Sequence, residues 1–149
     1  FENINFGRGL TREEVTTAAE YAQALPFIEN LTKGFDSEVA AMGTNFSGGQ
    51  KQRMLISRAL AAHPEILILD DSSSALDYKT DASLRKALRE HFTGTTSIIV
   101  AQRISSIYQC DHVMVLEDGQ CVGYGTHEEL MENCEIYREI HESQMRAEA

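Results

Sequence analysis

The chain has 149 residues, 42% hydrophobic and 24% charged, which suits one soluble globular domain or a piece of a larger one. Thirteen basic against 23 acidic residues leave a formal net charge of −10, a surface that repels a phosphate backbone and argues against nucleic acid as a partner. No apolar run approaches the roughly 18 residues needed to cross a bilayer, so any membrane role is expected from segments outside this sequence. The start at Phe1, without Met, predicts excision from a longer polypeptide. Cys110, Cys121 and Cys134 are odd in number and lack metal-type spacing, which points to a reducing compartment rather than a disulfide framework.

In chain order, Thr11-Arg12-Glu13-Glu14 reads as a capping box, opening a helix to about Ala24. Pro26 starts a short helical turn to about Leu31, and residues 32–45 read as loop, with Gly34 and Gly43 marking turns. Ser47 caps a long helix from Gly48 to about Ala62. Ile66-Leu67-Ile68-Leu69 is wholly apolar, as expected of a strand buried on both faces of a parallel sheet.

A helix from about Tyr78 to Phe92 follows, its Lys79, Asp81, Arg85, Lys86, Arg89 and Glu90 read as a solvated face. Ser97–Val100 and His112–Leu116 read as two further buried strands, and Asp118-Gly119 as a hairpin turn into residues 120–124. Thr126 with Glu129 predicts another capping box, and a last helix covers about Glu135 to Arg146. Helices alternating with buried strands indicate an α/β fold.

The chemistry concentrates in two places. Ser47-Gly48-Gly49 opens a helix with a hydroxyl and bare amides, where the helix dipole favours an anion and no Cβ keeps a phosphate away. The strand 66–69 ends in two acids, Asp70-Asp71, and runs on as Ser72-Ser73-Ser74-Ala75-Leu76-Asp77. A carboxylate at the tip of a buried strand offers the oxygen ligand that a hard cation prefers.

These segments, Asn45-Phe46-Ser47-Gly48-Gly49-Gln50-Lys51-Gln52-Arg53 and Ile66 to Asp77, resemble in order and spacing the signature motif, Walker B strand and D-loop of ATP-binding cassette (ABC) transporters. Ile98 to Ile107 resembles the switch strand and H-loop, and Val113 to Leu130 the family's ending. Phe1 to Gly7 is similar to the segment after the Q-loop in exporter-type cassettes. Ser37 to Gly43 is similar to their X-loop, although Ala40-Ala41-Met42 replaces the usual Gly-Glu-Arg.

The resemblance implies a partial, P-loop NTPase-like α/β domain over 1–149. About 1–62 would be the helical signature region, and about 63–149 would hold the Walker B, D-loop, H-loop and C-terminal parts, a mainly parallel sheet flanked by helices without the central P-loop strand. No Gly-x-x-x-x-Gly-Lys-Ser/Thr stretch exists in the sequence, so the chain alone is expected to be inactive. Exposed strand edges and apolar faces are expected with it, and self-association, strand exchange or a rearranged sheet.

By resemblance, Asp70 holds magnesium through water. Asp71 stands at the catalytic position where most members have Glu, one methylene too short to orient the attacking water well. Gln102 stands where most have the H-loop His. Ser47, Gly48, Gly49 and Gln50 would serve ATP bound by an opposing subunit, Phe46 replaces the usual Leu, Asp77 would cross the dimer interface, and Arg53 is expected in a structural salt bridge.

The two departures imply the degenerate-site subunit of a heterodimeric exporter. It would use ATP and magnesium, work with a non-identical second subunit and with transmembrane domains, and lie at the cytoplasmic face of the cell membrane. The competing readings are a soluble ABC ATPase and a non-catalytic regulatory nucleotide-binding module.

Overall fold

The computed structural model describes residues 1–148; Ala149, the last residue of the predicted domain, lies outside them. The chain divides into two compact units, Phe1–Val100 and Ala101–Ala149.

In the first unit, the three long helices start where side-chain oxygens, of Thr11, Ser47 and Asp77, replace missing backbone partners. The Thr11 hydroxyl accepts from the Glu14 amide at 3.2 Å and the Glu14 carboxylate accepts from the Thr11 amide at 2.7 Å, opening α2 (Arg12–Tyr21) after the single turn α1 (Glu2–Asn5). Val15, Ala18 and Ala19 share the inner face of α2, and the small alanines let it lie close to α4 (Gly48–Leu60). α3 (Leu25–Glu29) carries Pro26 in its first turn, where a missing N–H costs nothing. One core joins Val15, Ala19, Ile28, Ile56, Leu60, Leu67, Leu69, Leu84 and Leu88.

β1 (Ile66–Asp70) and β2 (Thr96–Val100) pair in parallel, Ile66 against Thr96 through Asp70 against Val100. The expectation of burial on both faces fails here. Leu67 and Leu69 are each 3% exposed, while Ile66 and Ile68 are 61% and 64% exposed. Ile98 and Val100 share that open face by register and are exposed too. The physical reason is that helix-borne side chains cover one side only. An apolar run reports the environment that a strand suits, and here only alternate residues reach it.

α5 (Tyr78–His91) corrects a second expectation. Lys79, Lys86, Arg89 and Glu90 do not lie in the core, but Asp81 and Arg85 are 5% and 6% exposed and form an i,i+4 ion pair at 3.3 Å. Their four-residue spacing puts them on the face that also buries Leu84 and Leu88. Arg53 is structural as expected, but through carbonyls and a ring rather than a salt bridge. Its guanidinium donates to Gly49 O at 3.2 Å and Gln23 O at 2.9 Å, and lies 4.9 Å from the Phe27 ring centroid.

In the second unit, β3 (Val113–Glu117) and β4 (Gln120–Gly125) form the antiparallel hairpin expected around Asp118-Gly119, with a register shift after Val115. β3 also buries one face only: Val113 and Val115 point inward, Met114 and Leu116 outward. Thr126 and Glu129 make the predicted capping box at the start of α6 (His127–Asn133), followed by α7 (Glu135–Glu148). Ile104, Val113, Val115, Leu130, Cys134 and Tyr137 form this unit's own core. Burial raises the Tyr137 phenol above its ordinary pKa, with smaller contributions from Cys110 and Glu128, and its oxygen lies 2.9 Å from His127 Nδ1.

Candidate functional site

The start of α4 is built by its own cap. Ser47 is extended (φ −67°, ψ 163°), its hydroxyl accepts from the Gln50 amide at 3.3 Å, and the Gln50 side-chain oxygen accepts from the Ser47 amide at 2.9 Å. Gln50, expected to serve a ligand, therefore forms half of a capping box in this state. Ser47 and Gly48 are exposed, and Gly49 and Gln50 are half-buried. The helix thus opens toward solvent with a hydroxyl, unhindered amides and the positive end of its dipole.

The acid pair lies at the tip of β1, as the sequence implies. Asp70 is the last residue of the strand, Asp71 the next, and both are exposed. Asp71 turns the chain through a left-handed conformation (φ 46°), which Asp tolerates better than most side chains. Its backbone is held from several sides. The Asp71 amide donates to Val100 O at 3.0 Å, while its carbonyl accepts from the Ser74 hydroxyl at 3.0 Å and from Gln52 Nε2 at 3.0 Å. The Gln52 side-chain oxygen accepts from the Ala75 amide at 3.4 Å.

The first turns of α4 and the loop after the acids therefore touch. A Cβ on Gly49 would lie 2.8 Å from the Ala75 carbonyl oxygen, so glycine is needed there for packing within this chain, whatever a ligand requires. Asp77 caps α5: its carboxylate accepts from the Thr80 amide at 2.9 Å and the Thr80 hydroxyl at 2.8 Å. These bonds, the amide first, hold its carboxyl below the ordinary aspartate range. Ser72 is buried, and its hydroxyl has no hydrogen-bond partner among the described residues.

Gln102 belongs to the second unit, where it is exposed. Its carbonyl accepts from Gln144 Nε2 at 2.7 Å, and the Gln144 side-chain oxygen accepts from the Ile104 amide at 3.0 Å. Sequence reasoning placed Gln52 in the signature stretch without a role and did not single out Gln144. Each is a lone amide on a helix, and only the fold reveals that each bridges a donor and an acceptor on a loop.

These features define a portion of an α/β domain, with a helix start whose amides and dipole suit an anion in contact with an acid-tipped loop. Residues 1–74 match the family model described as ABC transporter. Over 145 residues the chain is 43% identical to an uncharacterised ABC transporter ATP-binding protein of Bacillus subtilis, covering 97% of this chain and 25% of that protein. It is 42% identical to an ATP-dependent lipid A-core flippase of Pseudomonas aeruginosa over 141 residues, 93% of this chain and 23% of that one. The solved structure of a bacterial Atm1-family ABC exporter with ATP bound matches with a TM-score of 0.91 and 37% identity, covering 97% of this chain and 26% of that chain. The chain belongs to the ABC transporter family and is a portion of its ATP-binding domain, spanning about a quarter of the length of such curated relatives.

Proposed function

We propose that this chain is part of the ATP-driven motor of an ABC exporter, at the cytoplasmic face of a membrane, working with transmembrane domains and a second cassette rather than with nucleic acid. The observation that carries the reading is the contact between the two half-sites: Gly49 and Gln52 of the Ser47-capped helix pack on the loop that follows Asp70 and Asp71. The names of the relatives, a flippase and an ATP-bound exporter among them, point the same way.

The residues present fit ATP and magnesium. Asp70 offers an exposed carboxylate at a strand tip, suited to a hard cation or its bound water. Ser47, Gly48 and Gly49 offer a hydroxyl and amides at an open helix start, suited to the phosphates held by an opposing subunit, and Gln50 braces that start. Bound ATP supplies a phosphoanhydride whose negative charge magnesium offsets. Asp71 orients a water with a carboxylate set back by one methylene, and Gln102 donates a neutral hydrogen bond. Asp77 holds the start of α5 and with it the loop expected at the dimer interface.

The weakened pair Asp71 and Gln102 makes the chain the degenerate-site half of a heterodimer, its partner carrying Glu and His and an impaired signature. Without a P-loop stretch the chain alone does not hydrolyse ATP. The same pair favours a second reading, a regulatory module whose own site only props the dimer closed. In the transporter that contains this chain, Asp71→Glu with Gln102→His should raise hydrolysis at this site at least about tenfold. Full activity as a homodimer, with Asp71→Glu leaving turnover unchanged, would falsify the heterodimer reading. No gain in a heterodimer selects the regulatory one.

A further inference from the structure

We infer that Gln52 is a positioning residue that ties the Asp71–Ala75 loop to the helix presenting Ser47, so that the chain's two half-sites move as one piece. Its amide spans the loop. Nε2 donates to Asp71 O at 3.0 Å, and Oε1 accepts from the Ala75 amide at 3.4 Å. Gln52 lies one turn into α4, five residues after Ser47, whose capping box fixes the start of the same rigid helix. Gly49 touches the loop at a second point, where the Ala75 carbonyl would lie 2.8 Å from a Cβ.

The tether matters because Asp71 is held in a left-handed turn (φ 46°), a conformation that persists only where the surroundings over-determine it. The strand side is fixed by the bond from the Asp71 amide to Val100 O, and the loop side by Ser74 and Gln52. Of these, Gln52 alone comes from the helix that carries Ser47. With it in place, a displacement of the acid loop is passed to the Ser47 end, and the reverse. Without it, the Ser74 hydroxyl still satisfies the Asp71 carbonyl, so the fold survives while the link loses its hydrogen bonds and keeps only the packing of Gly49 on Ala75.

The inference rests on the motor reading above, and the test separates the two. Gln52→Met keeps the length and removes both bonds, while Gln52→Glu keeps the acceptor for Ala75 but sets a carboxylate against the Asp71 carbonyl. Amide hydrogen exchange, which needs no turnover, should rise at residues 74–76 by about tenfold in Gln52→Met and by less in Gln52→Glu, which keeps the Ala75 acceptor, with residues 67–70 unchanged in both. Unchanged exchange at the loop overturns the inference. In the full transporter with its partner subunit, kcat for ATP should fall about tenfold with KM within about twofold and the melting temperature unchanged. A wild-type kcat overturns the coupling. A joint loss of kcat, ATP affinity and melting temperature overturns it too, since that pattern marks a folding defect. A wild-type transporter with no ATPase activity counts against the motor reading, and hydrogen exchange then decides the tether.

Discussion

Gly48 and Gly49 are neighbours in sequence and in helical position, yet alanine should be tolerated at the first and resisted at the second. A Cβ on Gly48 would sit 3.7 Å from the Ala75 Cβ, an ordinary contact, whereas on Gly49 it would sit 2.8 Å from the Ala75 carbonyl oxygen. Relief there needs a shift of roughly half an ångström in backbone, between the buried Ser73 and Leu76 and just before the cap Asp77. Overpacking of this kind costs about 1–3 kcal/mol. Each alanine also returns up to about 1 kcal/mol of helix propensity. Because both variants receive that return, the difference between them isolates the clash: Gly48→Ala neutral to slightly stabilising, Gly49→Ala less stable than Gly48→Ala by about 1–3 kcal/mol. Urea titration of both variants beside the parent chain reads the difference directly. Equal midpoints for the two would refute the claim that the loop carbonyl, rather than a ligand, demands glycine at 49.

Ser72→Ala removes a buried hydroxyl that has no partner among the described residues, so it should leave stability unchanged or raise it by about 1 kcal/mol, seen as a higher urea midpoint. Arg85→Leu removes the cation of a buried ion pair from beside the Asp81 carboxylate and should cost about 3–5 kcal/mol, whereas the double variant Asp81→Leu, Arg85→Leu should recover most of that loss in the same titration. Asp77 has a folded-state pKa below its unfolded value, so its contribution is present above the unfolded pKa, about 3.9, and fades as pH falls through the folded one. Asp77→Ala should therefore flatten the acid side of the stability profile, and an acid limb as steep as that of the parent would contradict the cap.

Much of the fold could be read directly, because local chemistry decided it. Thr11 with Glu14, Thr126 with Glu129 and Asp118-Gly119 act within four residues and form the predicted caps and turn. The acid-tipped strand was legible for the same reason. Burial was less so, since it depends on what lies across from a strand: Ile66 and Ile68 carry the same hydrophobicity as Leu67 and Leu69 and face the other way. Asp81 and Arg85 read as surface charges because their charge outweighed their spacing, which sets them on one helical face with Leu84 and Leu88. The roles of Gln52 and Gln144 are long-range facts, 19 and 42 residues from the carbonyls they meet, and no local pattern could supply them.

The open face of the parallel pair has a consequence of its own. Ile66, Ile68, Ile98 and Val100 are all branched at Cβ, which leaves each with few χ1 choices even in water. Their motion is therefore largely frozen before anything comes to rest on them. Shielding this face from solvent collects the release of ordered water with little rotamer entropy to surrender, so the surface is stickier than its area alone would suggest.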